Sequence, residues 1–176
     1  MRIKSCILCL LCLCLCACGA KQQTFNLEKE GTIYNYSDTI LFYYPRDWKL
    51  KRDDLKLSCD IINEDSKEAL FFDVFMSEDR NTPDQLIEIY EAKLKDIGVV
   101  VDDVSAVQLK NGQAAYFVTG INELSDTYFC EVVLYLGDKQ YIYSYIATED
   151  LYYENVDSMK EFLFSISVNE AQKVMS

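Results

Sequence analysis

Residues 127–148 read TYFCEVVLYLGDKQYIYSYIAT. Two β-rich runs, 127–136 and 140–148, flank Gly137-Asp138-Lys139, a short polar connection with glycine that marks a hairpin. Tyr128, Cys130, Val132, Leu134 and Leu136 share one face of the first run, and Phe129, Glu131, Val133 and Tyr135 share the other. In the second run Tyr141, Tyr143 and Tyr145 oppose Ile142, Ser144 and Ile146. The period of two is that of a strand. One sheet face is plainly aliphatic and the other is rich in tyrosine.

Working outward, residues 99–109 and 113–121 flank Lys110-Asn111-Gly112, and Asn-Gly is a strong hairpin marker. Residues 56–62 alternate as a strand with one buried face, and residues 69–76 are largely apolar on both faces, as in a central strand. A further hairpin is read at 33–36 and 40–44 around Ser37-Asp38-Thr39, ended by Pro45. Thr82-Pro83-Asp84-Gln85 combines a capping box with proline at the first helical position. Leu86, Ile89, Tyr90, Leu94 and Ile97 then recur at helical spacing, interrupted by Lys93 and stopped by Gly98. A second helix is predicted over 155–166 on the stripe Val156, Met159, Phe162, Leu163 and Ile166. Between these elements Arg46, Lys49, Lys51, Arg52 and Lys56 cluster around Trp48. That cluster reads as a solvated turn in preference to a contact with lipid phosphates or an acidic partner.

These elements predict an α+β domain over 32–168: a long antiparallel sheet of about six to seven strands with two main helices packed on it, followed by a tail at 169–176. The order, together with Phe42-Tyr43-Tyr44-Pro45-Arg46-Asp47-Trp48, the capped central helix and a Tyr-rich strand before a last helix ending Phe164-Ser165-Ile166, resembles the PsbP-like fold. The resemblance spans most of 32–168. It implies a binding or assembly factor without an active site, as in photosystem accessory proteins and many small bacterial lipoproteins. No family site motif is present to carry over.

At the other end of the chain, Arg2 and Lys4 precede an uncharged run over residues 5–20, rich in Leu, Ile, Cys and Ala. That is a secretory signal pattern, shorter than the ~20 apolar residues that cross a bilayer. Leu15-Cys16-Ala17-Cys18-Gly19 resembles the bacterial lipoprotein signal, which implies a signal peptide at 1–17, cleavage before Cys18 and a diacylglycerol thioether on that cysteine. Two acyl chains hold a protein on a membrane where one does so marginally. Residues 18–31 then form a lipidated, flexible tether, and the domain is expected to face the extracytoplasmic side. Six of the eight cysteines, at 6, 9, 12, 14, 16 and 18, lie in this leader, where cysteine acts as a small hydrophobe and not as an iron-sulfur ligand.

The 176-residue chain contains no histidine and has a net charge of −12, so imidazole triads and zinc sites are excluded and nucleic acid is a poor partner. Cleavage before Cys18 removes Arg2 and Lys4 and leaves 15 basic against 29 acidic side chains, a balance of −14. The glycines form neither a dinucleotide fingerprint nor a P-loop, and no nucleophile elbow occurs. No cofactor is expected. Acidic clusters at Glu64, Asp65 and Glu68, at Glu78 and Asp79, and at Asp102 and Asp103 lack the calcium-loop pattern and read as a solvated rim, so no metal is assigned. Cys59 and Cys130 fall on inward strand faces and remain open between buried thiols and a disulfide across the sheet.

Thirteen tyrosines and nine phenylalanines suit a binding face. Tyr141, Tyr143 and Tyr145, with Tyr135 or Phe129 beside them, are the candidates for a partner surface, against the alternative that a helix buries them. The function expected is a membrane-anchored, non-catalytic binding or assembly module for an envelope protein or cell-wall component. The alternative is an envelope hydrolase with paired carboxylates, which needs two acids about 5 to 10 Å apart in one cleft.

Overall fold

The computed structural model describes residues 25–53, 57–77 and 81–169. The signal peptide, Cys18, most of the tether, Glu78, Asp79 and the end of the tail lie outside the described residues. Asn26 caps a single helical turn, α1 (Leu27–Glu30), by accepting from the Glu28 and Lys29 amides. Strands β1 (Gly31–Tyr36) and β2 (Ile40–Pro45) follow as the predicted hairpin, with Ser37 and Asp38 at positive φ in its turn. Phe25 packs edge-on against Phe162 with ring centroids 5.1 Å apart, and the Arg46 guanidinium donates to the carbonyl of Glu28 at 3.2 Å. These contacts move the start of the folded domain from the expected residue 32 to about residue 25, and they shorten the tether accordingly.

The segment expected as a basic turn is instead an edge strand, β3 (Lys49–Asp53), paired with β4 (Ser58–Ile62). Lysine on an exposed edge guards against pairing with other chains, so a basic cluster there has a structural use. Trp48 is half-buried at its start. The chain continues through β5 (Glu68–Met76), α2 (Pro83–Asp96), β6 (Val99–Gln108), β7 (Ala114–Asn122), β8 (Thr127–Leu136), β9 (Lys139–Ala147), α3 (Glu149–Leu163) and the short β10 (Ser167–Val168). The last helix starts six residues before its expected beginning at 155, directly after β9.

Seven strands form one antiparallel sheet in the order β3-β4-β5-β9-β8-β7-β6, and β1, β2 and β10 form a second, smaller sheet. The α+β class and the long sheet follow the sequence pattern; the second sheet was not anticipated. It and α3 cover one face of the large sheet. Phe42 lies against Phe72 and Tyr143 at centroid distances of 5.2 and 4.5 Å, and Tyr152, Met159, Phe162 and Leu163 of α3 are buried beside them. The hydroxyls buried in this core are satisfied. That of Tyr143 donates to the Tyr43 carbonyl at 2.8 Å, and that of Tyr145 donates to the Glu68 carboxylate at 2.7 Å. Asn155 of α3 donates to the same carboxylate oxygen at 2.8 Å.

On the opposite face α2 packs over a smaller cluster of Ile87, Val99, Val118, Phe129, Val133 and Ile142. Here β6 carries a bulge between Val101 and Asp103, opposite Gly120 and Thr119 of β7. A Cβ on Gly120 would lie 2.3 Å from the Val100 carbonyl oxygen and 2.9 Å from the Phe129 ring. Glycine is therefore required for close approach, and its bare surface lets Phe129 lie across β7. Gly120→Ala is expected to destabilise the domain by about 2 to 3 kcal/mol through overpacking against backbone. Urea unfolding would measure it, and a change below about 0.5 kcal/mol would show that β6 yields freely.

Candidate functional site

The capping box of α2 is formed as the sequence predicts: the Gln85 amide donates to Thr82 Oγ1 and the Thr82 amide donates to Gln85 Oε1 at 2.9 Å. The helix is anchored to the β7–β8 part of the sheet by Tyr116, which donates its hydroxyl to Asp84, and by Tyr90, which donates to Glu131 at 2.7 Å. Of its apolar stripe, Ile87 alone is fully buried, while Ile89 and Ile97 remain 38% and 64% exposed. One helix is too narrow to cover a seven-stranded face. The part formed by β4 and β5 is left beside it.

Between α2 and β5 lies an open hollow of about 580 Å³. Phe71, Phe129 and Ile146 form its apolar floor, Leu94 and Ile97 of α2 one wall, and Ser66, Lys67, Asn122 and Ser125 part of its rim. A smaller hollow of about 130 Å³, lined by Tyr90, Lys93, Tyr135 and Gln140, includes Ser77. Ser77 Oγ is buried there without a hydrogen-bond partner.

Glu131 lines the larger hollow and is 5% exposed. Its carboxylate accepts from Tyr90 at 2.7 Å and from Ser144 Oγ at 3.2 Å. Burial pushes its pKa up to about 7, against the opposing pull of those two hydrogen bonds. Burial also raises the Tyr90 phenol, with the neighbouring Glu131 charge adding to it, so Tyr90 remains a donor. Strand alternation puts Asp60, opposite Phe71, and Asp73 on the same face as the hollow. The arrangement is an apolar recess bordered by acids, with one carboxyl group at its floor.

The expected tyrosine surface is not a surface. Tyr141, Tyr143 and Tyr145 are 3%, 0% and 0% exposed, because α3 and the small sheet close over them. Tyr135 and Phe129 belong to the opposite face, with α2. The disulfide option for Cys59 and Cys130 also falls, since both are buried free thiols. Strands β4 and β8 are separated by β5 and β9, a spacing of about 14 Å where a bridge needs roughly 4.4 to 6.8 Å. Burial pushes each thiol up to about 12, so neither is poised as a nucleophile.

No group of acids, cysteines or histidines able to hold a metal occurs among the described residues. The two buried carboxylates, Glu68 and Glu131, project from opposite faces of the sheet: one bonds Tyr145 and α3, the other Tyr90 and α2. They do not form the facing pair that acid-base hydrolysis requires. Glu131 was visible in the sequence as the lone charge within an apolar alternation, which is a signal of a paired or functional buried acid.

No family profile and no curated protein matches the chain by sequence. Similarity lies in the backbone. The solution structure of cyanobacterial PsbP from Synechocystis sp. PCC 6803 superposes with a TM-score of 0.64 at 13% identity, covering 86% of this chain and 99% of that one. The fold is PsbP-like. LpqN, involved in cell envelope biogenesis of Mycobacterium tuberculosis, matches with a TM-score of 0.57 at 16% identity over 80% of this chain and 91% of its own. The Ran-binding protein Mog1p of Saccharomyces cerevisiae matches at 0.52 and 10% identity over 78% and 95%.

In this PsbP-like domain Glu131 imposes a pH dependence of defined sign. Its folded pKa lies above the unfolded value, so the native state holds a proton that the unfolded chain lacks between about pH 4.5 and 7. Stability from this group is present at low pH and lost as pH rises through 7. From pH 5.5 to 8 the loss is expected to be about 2 kcal/mol. Glu131→Gln, which can keep both hydrogen bonds, should remove that part of the slope in urea titrations. A variant with the wild-type slope would show that Glu131 is ionised throughout.

Proposed function

We propose that the protein is a lipid-anchored extracytoplasmic lipoprotein whose PsbP-like domain is a non-catalytic binding or assembly module working through the recess beside α2. The observation that carries this reading is the open apolar hollow on a sheet whose other face is closed, with exposed Ile89, Ile97 and Phe75 near it. Such a concave site with one or two placed polar groups is the general form of a binding pocket. Location rests on the charged start, uncharged run and Cys18 motif of the N-terminus. Among the described residues no helix is long and apolar enough to cross a membrane.

The absence of a facing carboxylate pair and the raised thiols favour binding over hydrolysis. The structural neighbours offer support of the same kind, one being described as Ran-binding and another as involved in cell envelope biogenesis. With a net charge of −14 after cleavage, the domain is repelled by an anionic lipid surface and stands away from it.

Two measurements test the proposal in cells. Cys18→Ala should shift the protein from the membrane fraction to the soluble or secreted fraction. A photo-crosslinking residue at Ile97 should capture an envelope component that one at Lys51, on the far edge strand, does not. An unchanged membrane fraction would remove the anchor, and equal capture at both positions would remove the recess as the working surface.

A further inference from the structure

We infer that the hollow beside α2 is a site for a single small amphiphilic amine, its apolar body lying on Phe71, Phe129 and Ile146 and its ammonium head meeting the carboxylate of Glu131. The inference rests on the reading of this recess as the working surface and adds the chemical class of its ligand. A volume of about 580 Å³ falls within the roughly 300 to 1,000 Å³ of small-molecule sites. That volume suits one compact molecule better than a helix or strand of a partner.

The head group follows from the charges. Glu131 is buried, yet among the described residues its partners are the Tyr90 and Ser144 hydroxyls and none is basic. A carboxylate offers about four lone-pair sites and these two bonds use half of them. A buried carboxylate without a countercharge is costly to ionise, and a cation delivered by a ligand removes that cost. The surroundings agree in sign. Asp73 acts electrostatically on Tyr90, whose hydroxyl bonds Glu131, and Asp60 lies on the adjacent strand face. The C-terminal turn of α2 reaches the hollow at Leu94 and Ile97, and a helix C-terminus carries partial negative charge. The basic group on the rim is Lys67, which is exposed. The remaining titratable neighbours, Tyr90 and Tyr135, have phenols raised by burial and stay neutral across this range. An anionic amphiphile would meet repulsion, and a neutral one would leave the carboxylate unpaired.

Affinity for the amine should then rise as Glu131 loses its proton. The test is a titration of the full chain, with Ile and Leu methyl groups labelled, using hexylammonium, hexanol and hexanoate at pH 5.5 and 8.5, read at Ile146 and Leu94. Hexylammonium should bind at least tenfold more tightly than hexanoate at pH 8.5 and at least fivefold more tightly there than at pH 5.5. Glu131→Gln should erase both differences while leaving hexanol binding unchanged, and Leu94→Trp, which fills the hollow, should abolish all binding. Equal affinities for the three probes, a flat pH response, a variant indistinguishable from wild type, or no shift with any probe would each overturn the inference. Shifts at Ile146 that follow protein concentration and not probe would assign the hollow to a second copy, and would overturn it too. Crosslinking from Ile97 reports separately on a partner in cells, so either result can fail alone.

Discussion

The two faces of one sheet must be covered by elements of unequal reach, and the rest of this structure depends on that constraint. The side chains of β8 and β9 alternate strictly. Cys130, Val132 and Leu134 therefore share a layer with Tyr141, Tyr143 and Tyr145, while Phe129, Glu131 and Val133 share the other with Ile142, Ser144 and Ile146. A single-residue slip would exchange the two layers entirely. The first layer is closed by a helix together with a second sheet. The other has α2 alone, and the hollow is the geometric remainder.

Aromatic residues do different work in the two layers. Under α3 the tyrosines supply volume, and each deep hydroxyl is matched to a carbonyl or carboxylate, as Tyr143 is to Tyr43 and Tyr145 to Glu68. Such pairing removes the cost of burying a polar tip and fixes how the layers dock. Under α2 the Phe129 ring lies across bare Gly120 and becomes floor for the recess. A glycine required by backbone packing thus shapes the surface on which a ligand would rest.

The two buried glutamates show how topology assigns roles to like residues. Glu68 accepts from a tyrosine, a serine and two asparagines and ties β5 to α3. Glu131 accepts from two hydroxyls beside an open hollow, and burial brings its proton into the physiological range. The first is a structural tie. The second retains hydrogen-bonding capacity toward solvent or ligand.

Local pattern was enough for most of the architecture: the capping box at Thr82, the hairpin glycines at 112 and 137, the alternation of β5 to β9 and the α+β class are written in neighbouring residues. Edge strand β3 was hidden because its basic residues mimic a solvated turn, and the first turns of α3 because Glu149 to Glu154 carry no clear apolar stripe. Which tyrosines face water, whether Cys59 can reach Cys130, and whether Glu68 and Glu131 share a cleft were not legible. Alternation says which side chains share a face, but not which face receives the larger cover or which strands separate two positions. Those outcomes depend on where α2, α3 and the small sheet land, and on β5 pairing with β9 across seventy residues of intervening order. Contacts of that range are set by the packing of the whole chain, which no window of sequence contains.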